Sequence, residues 1–286
     1  MGKHGKFSIG AMLESFRLDD GAAMQKAREL GIEGLQIGLG EHDERAPQNM
    51  PPAKRKALVK MLADNGLAVS AVCGDLGHGF GWPAKNPALI EKSKRIVDLA
   101  KDIGTDIVTT HIGVVPDDPS HERYKVMLDA CGELARYADE VGAHFAVETG
   151  PETAVVLKRF LDSLGSKGVG ANLDPANLVM VVDDDPAQAV RTLAGYIVHT
   201  HAKDGRQLQK CEAEVVYGIR PGTVAYADAG IAYVELPLGE GDVPWERYLA
   251  ALEEIGYKGY LTIEREVGED PVKDIASAVS FLKTRI

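Results

Sequence analysis

The chain is poor in cysteine. Three thiols in 286 residues, Cys73, Cys131 and Cys211, are scattered with no Cys-x-x-Cys spacing, which argues against a disulfide-stapled scaffold and a thiolate zinc site. Cys73 falls in an expected strand and Cys131 in an expected helix, so both read as ordinary buried thiols. Long apolar runs are missing too. None approaches the roughly 18–20 residues that span a bilayer, and the opening Met-Gly-Lys-His-Gly-Lys-Phe lacks the apolar core of a signal peptide. The expectation is a chain with no membrane partner and, by default, a cytoplasmic address. Basic residues are outnumbered, 32 Lys and Arg against 43 Asp and Glu, for a formal net charge of −11. That balance disfavours a nucleic-acid partner, which requires clustered Lys and Arg. An apolar fraction of 45% suffices for a sizeable core and gives no sign of disorder.

What the sequence does contain is an alternation of short β-like runs with longer helical patterns. Strands are expected at 7–13, 34–38, 67–73, 106–113, 144–150, 168–174, 197–203 and 259–266. Helices are expected at 21–30, 51–65, 86–103, 120–141, 153–164, 185–194, 243–255 and 271–286. Gly31 stops the first helix, Pro51 and Gly66 bracket the second, and Pro186 stands in the first turn of the sixth. Strand–helix units of this kind imply parallel strands with crossover helices. Eight of them favour closure into a (β/α)₈ TIM barrel, a single domain over residues 1–286. A doubly wound open sheet competes, but no Gly-x-Gly-x-x-Gly loop follows the first strand. One connection is too long for an ordinary barrel: residues 205–242, between the seventh strand and its helix. Within it, 215–222 and 231–236 have the composition to pair as a hairpin over the mouth, as a lid or a subunit contact.

In such a barrel, reactive side chains collect where strands end and loops begin. Glu148 closes the fifth strand, Asp174 the sixth, His201 the seventh and Glu264 the eighth. Taken singly, each acid reads equally well as a helix cap or an ion-pair partner, and a strand histidine as hydrogen-bonded structure. Four convergent members are much harder to explain that way. Three carboxylates in one place raise one another's pKa unless a cation intervenes. The set suits one divalent ion, Mn²⁺ first, with Mg²⁺, Co²⁺ or Zn²⁺ as alternatives, and leaves positions for substrate oxygens.

Neighbouring residues extend the candidate site. His199 and Lys203 share the strand face of His201; His199 lies a layer deeper and reads as a core histidine. Lys203 is a candidate for a sugar oxygen or phosphate, with pairing to Glu266 as the plain alternative. His111 ends the fourth strand as a substrate-binding or supporting residue. Asn177 suits a substrate hydroxyl or a cap, and Arg206 an anionic group or solvent. Phe80 and Trp82 suit an apolar lid or simple loop packing.

Together these residues resemble the xylose-isomerase-like (β/α)₈ superfamily, in its sugar isomerase and epimerase branch, over essentially the whole chain. The carrying motifs are Val-Glu148-Thr, Asn-Leu-Asp174-Pro-Ala-Asn177, Val-His-Thr-His201-Ala-Lys203-Asp204, Gly239-Glu-Gly-Asp242-Val-Pro-Trp245 and Thr-Ile-Glu264. The resemblance implies that Glu148, Asp174, His201 and Glu264 ligate one Mn²⁺-like ion, which holds the carbonyl and adjacent hydroxyl of an open-chain sugar. Glu148 and Glu264 would then exchange protons at the carbon between, through a cis-enediolate. It also implies a homo-oligomer, dimer or tetramer. Two departures touch the substrate side: Asn177 stands where many family epimerases have histidine, and Ala-Lys-Asp-Gly-Arg after His201 lacks a closely spaced glutamate–arginine pair.

Four other readings compete. A lyase or deglycosidase acting on an oxidised sugar would use the same residues. An apurinic endonuclease with a zinc cluster needs more imidazoles, yet no histidine follows His201, and the net charge of −11 opposes DNA. A non-catalytic sugar-binding barrel differs only in failing to exchange substrate protons. A two-metal hydride-shift isomerase needs a larger ligand set.

Overall fold

The computed structural model describes residues 7–40, 44–220, 222–223 and 232–286. Its strands are β1 (Ser8–Met12), β2 (Gly34–Gly38), β3 (Ala68–Cys73), β4 (Ile107–Thr110), β5 (His144–Glu148), β6 (Val169–Leu173), β7 (Ile197–Ala202), β8 (Asp204–Gln207), β9 (Tyr233–Leu236) and β10 (Tyr260–Ile263). The helices are α1 (Asp20–Leu30), α2 (Pro52–Asp64), α3 (Asn86–Ile103), α4 (Glu122–Val141), α5 (Ala154–Leu164), the single turn α6 (Pro175–Asn177), α7 (Pro186–Thr192), α8 (Ala213–Val216), α9 (Trp245–Glu254) and α10 (Pro271–Lys283). Eight parallel strands close in the order β1-β10-β7-β6-β5-β4-β3-β2. This is a TIM barrel of one domain, as the alternation implies.

Local chemistry sets the limits of these elements. Asp19 caps α1 by accepting from the Ala22 N–H at 3.0 Å, and Gly31 ends it at φ +75°. In α3, Leu89, Ser93, Ile96, Ala100 and Ile103 are among the residues that bury one face against the sheet. All five residues of β6 are buried, as expected where a parallel strand is covered on both sides. Among the described residues no helix is long and apolar enough to cross a membrane.

Two strands fall furthest short of their expected ranges. β4 stops at Thr110 because the Ile112 carbonyl is taken by the Phe80 N–H at 2.9 Å, so the loop after β3 replaces strand pairing there. β10 stops at Ile263, although the Glu264 N–H still reaches the Ala202 carbonyl at 3.2 Å.

The insertion pairs differently from the expected 215–222 with 231–236 hairpin. Val215 and Val216 lie in α8; Pro221 and Ile231 fall outside the described residues. The antiparallel partner of β9 is β8, with Asp204 opposite Leu236 and Gln207 opposite Tyr233. The reason is Asp204, which is fully buried. Its Oδ1 accepts from the Gly205 and Val243 N–H groups at 2.9 and 3.1 Å. Its Oδ2 accepts from the Gly239 N–H and the Trp245 indole N–H, both at 2.8 Å. One carboxylate thus fastens the start of the insertion to its end. The chain leaving β7 therefore becomes the edge on which β9 pairs.

Candidate metal centre

The strand ends bring Glu148, Asp174, His201 and Glu264 together. All four are buried, and one ligand atom from each lies within 4.8 Å of the others. His201 Nδ1 faces all three acids: Glu264 Oε2 at 3.2 Å, Asp174 Oδ2 at 3.3 Å and Glu148 Oε1 at 3.6 Å. Its Nε2 points the other way, to Gln36 Oε1 at 3.1 Å and Asn172 Nδ2 at 3.2 Å, and donation to the Gln36 oxygen fixes the orientation in which loss of the Nδ1 proton would turn a lone pair towards the acids. Asp174 divides its oxygens. Oδ1 caps α6, accepting from the Ala176 and Asn177 N–H groups at 2.8 and 2.9 Å, while Oδ2 turns inward. One side chain thus caps a helix turn with one oxygen and offers the other to the cluster.

Amides orient Glu148. Asn172 Nδ2 donates to Oε2 at 3.1 Å, and Asn177 Nδ2 donates to Oε1 at 3.2 Å. His111 Nε2 stands 3.6 Å from the same Oε1, and its Nδ1 has no hydrogen-bond partner among the described residues. Lys203 donates to Glu264 Oε2 at 2.9 Å and also pairs with Glu266. His199 is held by Asn172 Oδ1 and Thr262 Oγ1, each at 2.9 Å, one layer below. Arg206 stays outside the centre. It is exposed, and its Nε donates to Asp242 Oδ1 at 2.9 Å, because β8 turns it towards the end of the insertion.

Charge is balanced within this cluster by the chain itself. Burial opposes a cation at His201, yet Glu264, Glu148 and Asp174 outweigh it and hold the imidazole well above its ordinary pKa. Lys203 is likewise held well above the usual ammonium range, against burial, chiefly by Glu264 and Glu266. Burial would raise Glu264, but Lys203 and His201 hold it well below the usual carboxylate range. Glu148 is lowered, burial being overcome by His111 and His201. Asp174 alone of the three is raised, by burial. A buried imidazolium surrounded by three acids occupies the electrostatic position of a metal ion. The residues present fit one: three carboxylate donors, an imidazole nitrogen aimed inward, and a second nitrogen already satisfied.

Gln36, Asn172 and Glu152 escaped the sequence reading. Gln36 is a lone polar residue in an apolar strand, and Asn172 lies two residues before Asp174 on the same strand face, so both had a signal. Both also sit beside register shifts, between Leu35 and Gln36 and between Ala171 and Asn172, where the neighbouring strand carries the extra residue, Ser70 in β3 and Val198 in β7. Gln36→Ala is expected to weaken metal affinity about 10–100-fold with the ion count at saturation unchanged, read by competition with a chelating dye.

Glu152 is buried beside the end of β4. Val115 N–H donates to its Oε2 at 3.1 Å, and Oε1 has no partner among the described residues. Burial pushes its carboxyl up to about 8, against the Val115 N–H and His111. The folded chain therefore keeps a proton that the unfolded chain releases near the ordinary carboxylate pKa. The stability this confers is full below that value and declines by up to about 1.4 kcal/mol per pH unit until the folded pKa is passed. Glu152→Gln, the neutral isostere, is expected to lose less stability than wild type between about pH 5 and about pH 8. Urea midpoints that fall in parallel for the two proteins would contradict this.

The comparisons with known proteins agree with this fold. A profile of the xylose isomerase-like TIM barrel family matches residues 24–285, and the chain belongs to that family. It is similar to L-ribulose-5-phosphate 3-epimerase UlaE of Escherichia coli K12, 24% identical over 275 residues, covering 92% of this chain and 88% of that one. A xylose isomerase domain protein from Planctomyces limnophilus superposes with a TM-score of 0.77 at 25% identity, over 97% of this chain and 95% of the other. The probable 3-DHS dehydratase AsbF from Bacillus anthracis shares the fold, with a TM-score of 0.76 at 19% identity over 98% and 100% of the two chains. A sugar epimerase thus stands among the relatives, alongside a protein described as a dehydratase.

Proposed function

We propose that this chain is a divalent-metal-dependent sugar isomerase or epimerase that moves a proton on a carbon adjacent to a carbonyl. The supporting observation is the arc of four ligands with a glutamate at each end. Glu148 enters from β5 and Glu264 from β10, with the Asp174 and His201 strands between them in the barrel order. Glu148, Asp174, His201 and Glu264 would hold the ion. When bound, it supplies Lewis-acid polarisation of a sugar carbonyl and neutralises charge developing on that oxygen.

The rest falls to the chain. Two carboxylates on opposite sides of one volume allow one to take the proton and the other to return it on the far face, through a cis-enediolate. Lys203, fixed between Glu264 and Glu266, keeps Glu264 ionised and oriented. Asn172 and Asn177 fix both oxygens of Glu148, and buried walls keep bulk water from the transferred proton. The oxygen-rich set favours Mn²⁺ or Mg²⁺ over softer ions.

The test is solvent deuterium incorporation into keto-sugars by the metal-loaded protein. Exchange is expected in the wild type and is expected to fall at least about 10³-fold in Glu148→Gln and in Glu264→Gln. No exchange with any keto-sugar would reduce the chain to a sugar-binding barrel. Release of a leaving group from the next carbon would make it a lyase.

A further inference from the structure

A second cavity opens against the metal centre, and two separate elements wall it. It has a volume of about 240 Å³, with His111 on its floor, and the His111 ring stands 3.6 Å from Glu148 Oε1. One wall is the loop after β3, which brings Asp75, His78, Trp82 and Lys85. This loop is seated hard on the end of β4. Gly79 lies at φ +59° where a Cβ would come within 2.7 Å of the Ile112 carbonyl, and Phe80 is buried edge-on against Phe145 at 6.0 Å. The other wall is Tyr217, from the insertion. Its ring packs on His111 with centroids 5.5 Å apart, and its hydroxyl lies 2.6 Å from where a Cβ on Gly150 would stand. Only glycine, two residues after Glu148, lets the phenol approach so closely. The Arg123–Glu214 ion pair and the Ile219 N–H to Glu214 carbonyl bond, 2.8 Å, fasten this wall to α4 and to itself.

The lining chemistry selects among the groups a sugar can carry. Trp82 and Tyr217 offer aromatic faces, on which the C–H edges of a pyranose ring stack. His78 and Asp75 offer hydrogen-bonding atoms for its hydroxyls. A phosphate dianion would want an arginine fork or several cations. Among the described residues no arginine lines the cavity, and its one ammonium, Lys85, shares the wall with the Asp75 carboxylate.

We propose that this cavity is a second sugar subsite: it takes a pyranosyl ring joined to the reacting keto-sugar, so the substrate is a glycosylated ketose and not a phosphorylated one. The substrate class rests on the sugar-isomerising reading above; the subsite itself rests on the cavity. Tyr217 and Trp82 act there as specificity determinants and not on the transferred proton.

Two probes share a ketose end substituted at O6, and both are barred from the pyranose form: isomaltulose, which carries a glucosyl ring, and D-fructose 6-phosphate. With the Mn²⁺-loaded full chain, kcat/KM for deuterium incorporation is expected to be at least about 10-fold higher for isomaltulose. Trp82→Ala and Tyr217→Ala are expected to bring that ratio to about one, and Trp82→Phe to restore most of it. Binding is read independently. The chain has two tryptophans, and Trp245 is buried on Asp204, so quenching by isomaltulose that disappears in Trp82→Phe reports the cavity.

Exchange that favours fructose 6-phosphate, or an isomaltulose preference that survives both alanine variants, overturns the subsite and leaves the isomerase reading intact. Quenching without exchange on either probe supports the subsite and overturns the isomerase reading. Neither quenching nor exchange overturns both.

Discussion

His201→Ala and Asp174→Asn proteins, grown and reconstituted with manganese, are expected to hold less than about a tenth of the roughly one ion per chain of the wild type. Elemental analysis after dialysis reads this directly. Asp174→Asn is the sharper variant because asparagine caps a helix turn about as well as aspartate. The Ala176 and Asn177 N–H groups keep their acceptor, and only the inward oxygen is replaced. In chelator Asp174→Asn turns an amide NH₂ towards His201 Nδ1 in place of the acceptor Oδ2 and should unfold about 1–2 kcal/mol more easily than the metal-free wild type. His201→Ala removes the imidazolium that faces three acids and should unfold about 1–3 kcal/mol earlier. Added metal at about a hundred times its dissociation constant should stabilise the wild type by about 2.7 kcal/mol and leave both variants unmoved. Wild-type protein that takes up no ion after reconstitution would remove the basis of the proposed chemistry.

Asp204→Ala is expected to cost about 3–5 kcal/mol in urea unfolding, among the largest single-residue effects in this chain. Four donors converge on that carboxylate, two on each oxygen. Each donor left buried and unpaired costs about 1–3 kcal/mol, reduced where the loop can swing out to water. The loss should therefore be coupled to exposure of the insertion. Limited proteolysis is expected to cut between 205 and 242 before the barrel unfolds. Asp204→Asn, which keeps one acceptor oxygen and turns an NH₂ towards the other pair of donors, should fall in between. A stability change under about 1 kcal/mol in Asp204→Ala would show that the bonds are replaced by solvent at no cost.

The barrel was legible because its signals are local. Gly31, Gly66 and Pro186 mark element ends within a turn of where they act, and period-2 and period-3.6 patterns need no partner to be seen. The four residues of the candidate centre were legible because each is an ionisable residue at the end of an apolar strand. What escaped depends on distant partners. Gln36 meets His201 across 165 residues, and nothing near either position announces it. The β8–β9 pairing follows from a carboxylate three of whose four donors lie 35 to 41 residues away, whereas the expected hairpin partner was chosen from its own composition. β4 ends early for the same kind of reason: the Phe80 N–H arrives from another loop. Arg206 read as a partner for an anionic group or as a solvated side chain. A strand that turns away after Lys203 carries it out to Asp242 instead.

The fastening at Asp204 separates two kinds of inheritance in this chain. The acids and the imidazole proposed to carry the chemistry are written into barrel strands or their ends, where a change disturbs the closed sheet. The insertion leaves and rejoins the barrel at one carboxylate, and Glu214 on Arg123 and Glu235 on Arg265 tie its described parts further along, so a cassette cut at that knot must bring those two partners with it. Grafting that cassette from another barrel with the same knot would alter what is admitted beside Glu148 while the strands keep the reaction they perform.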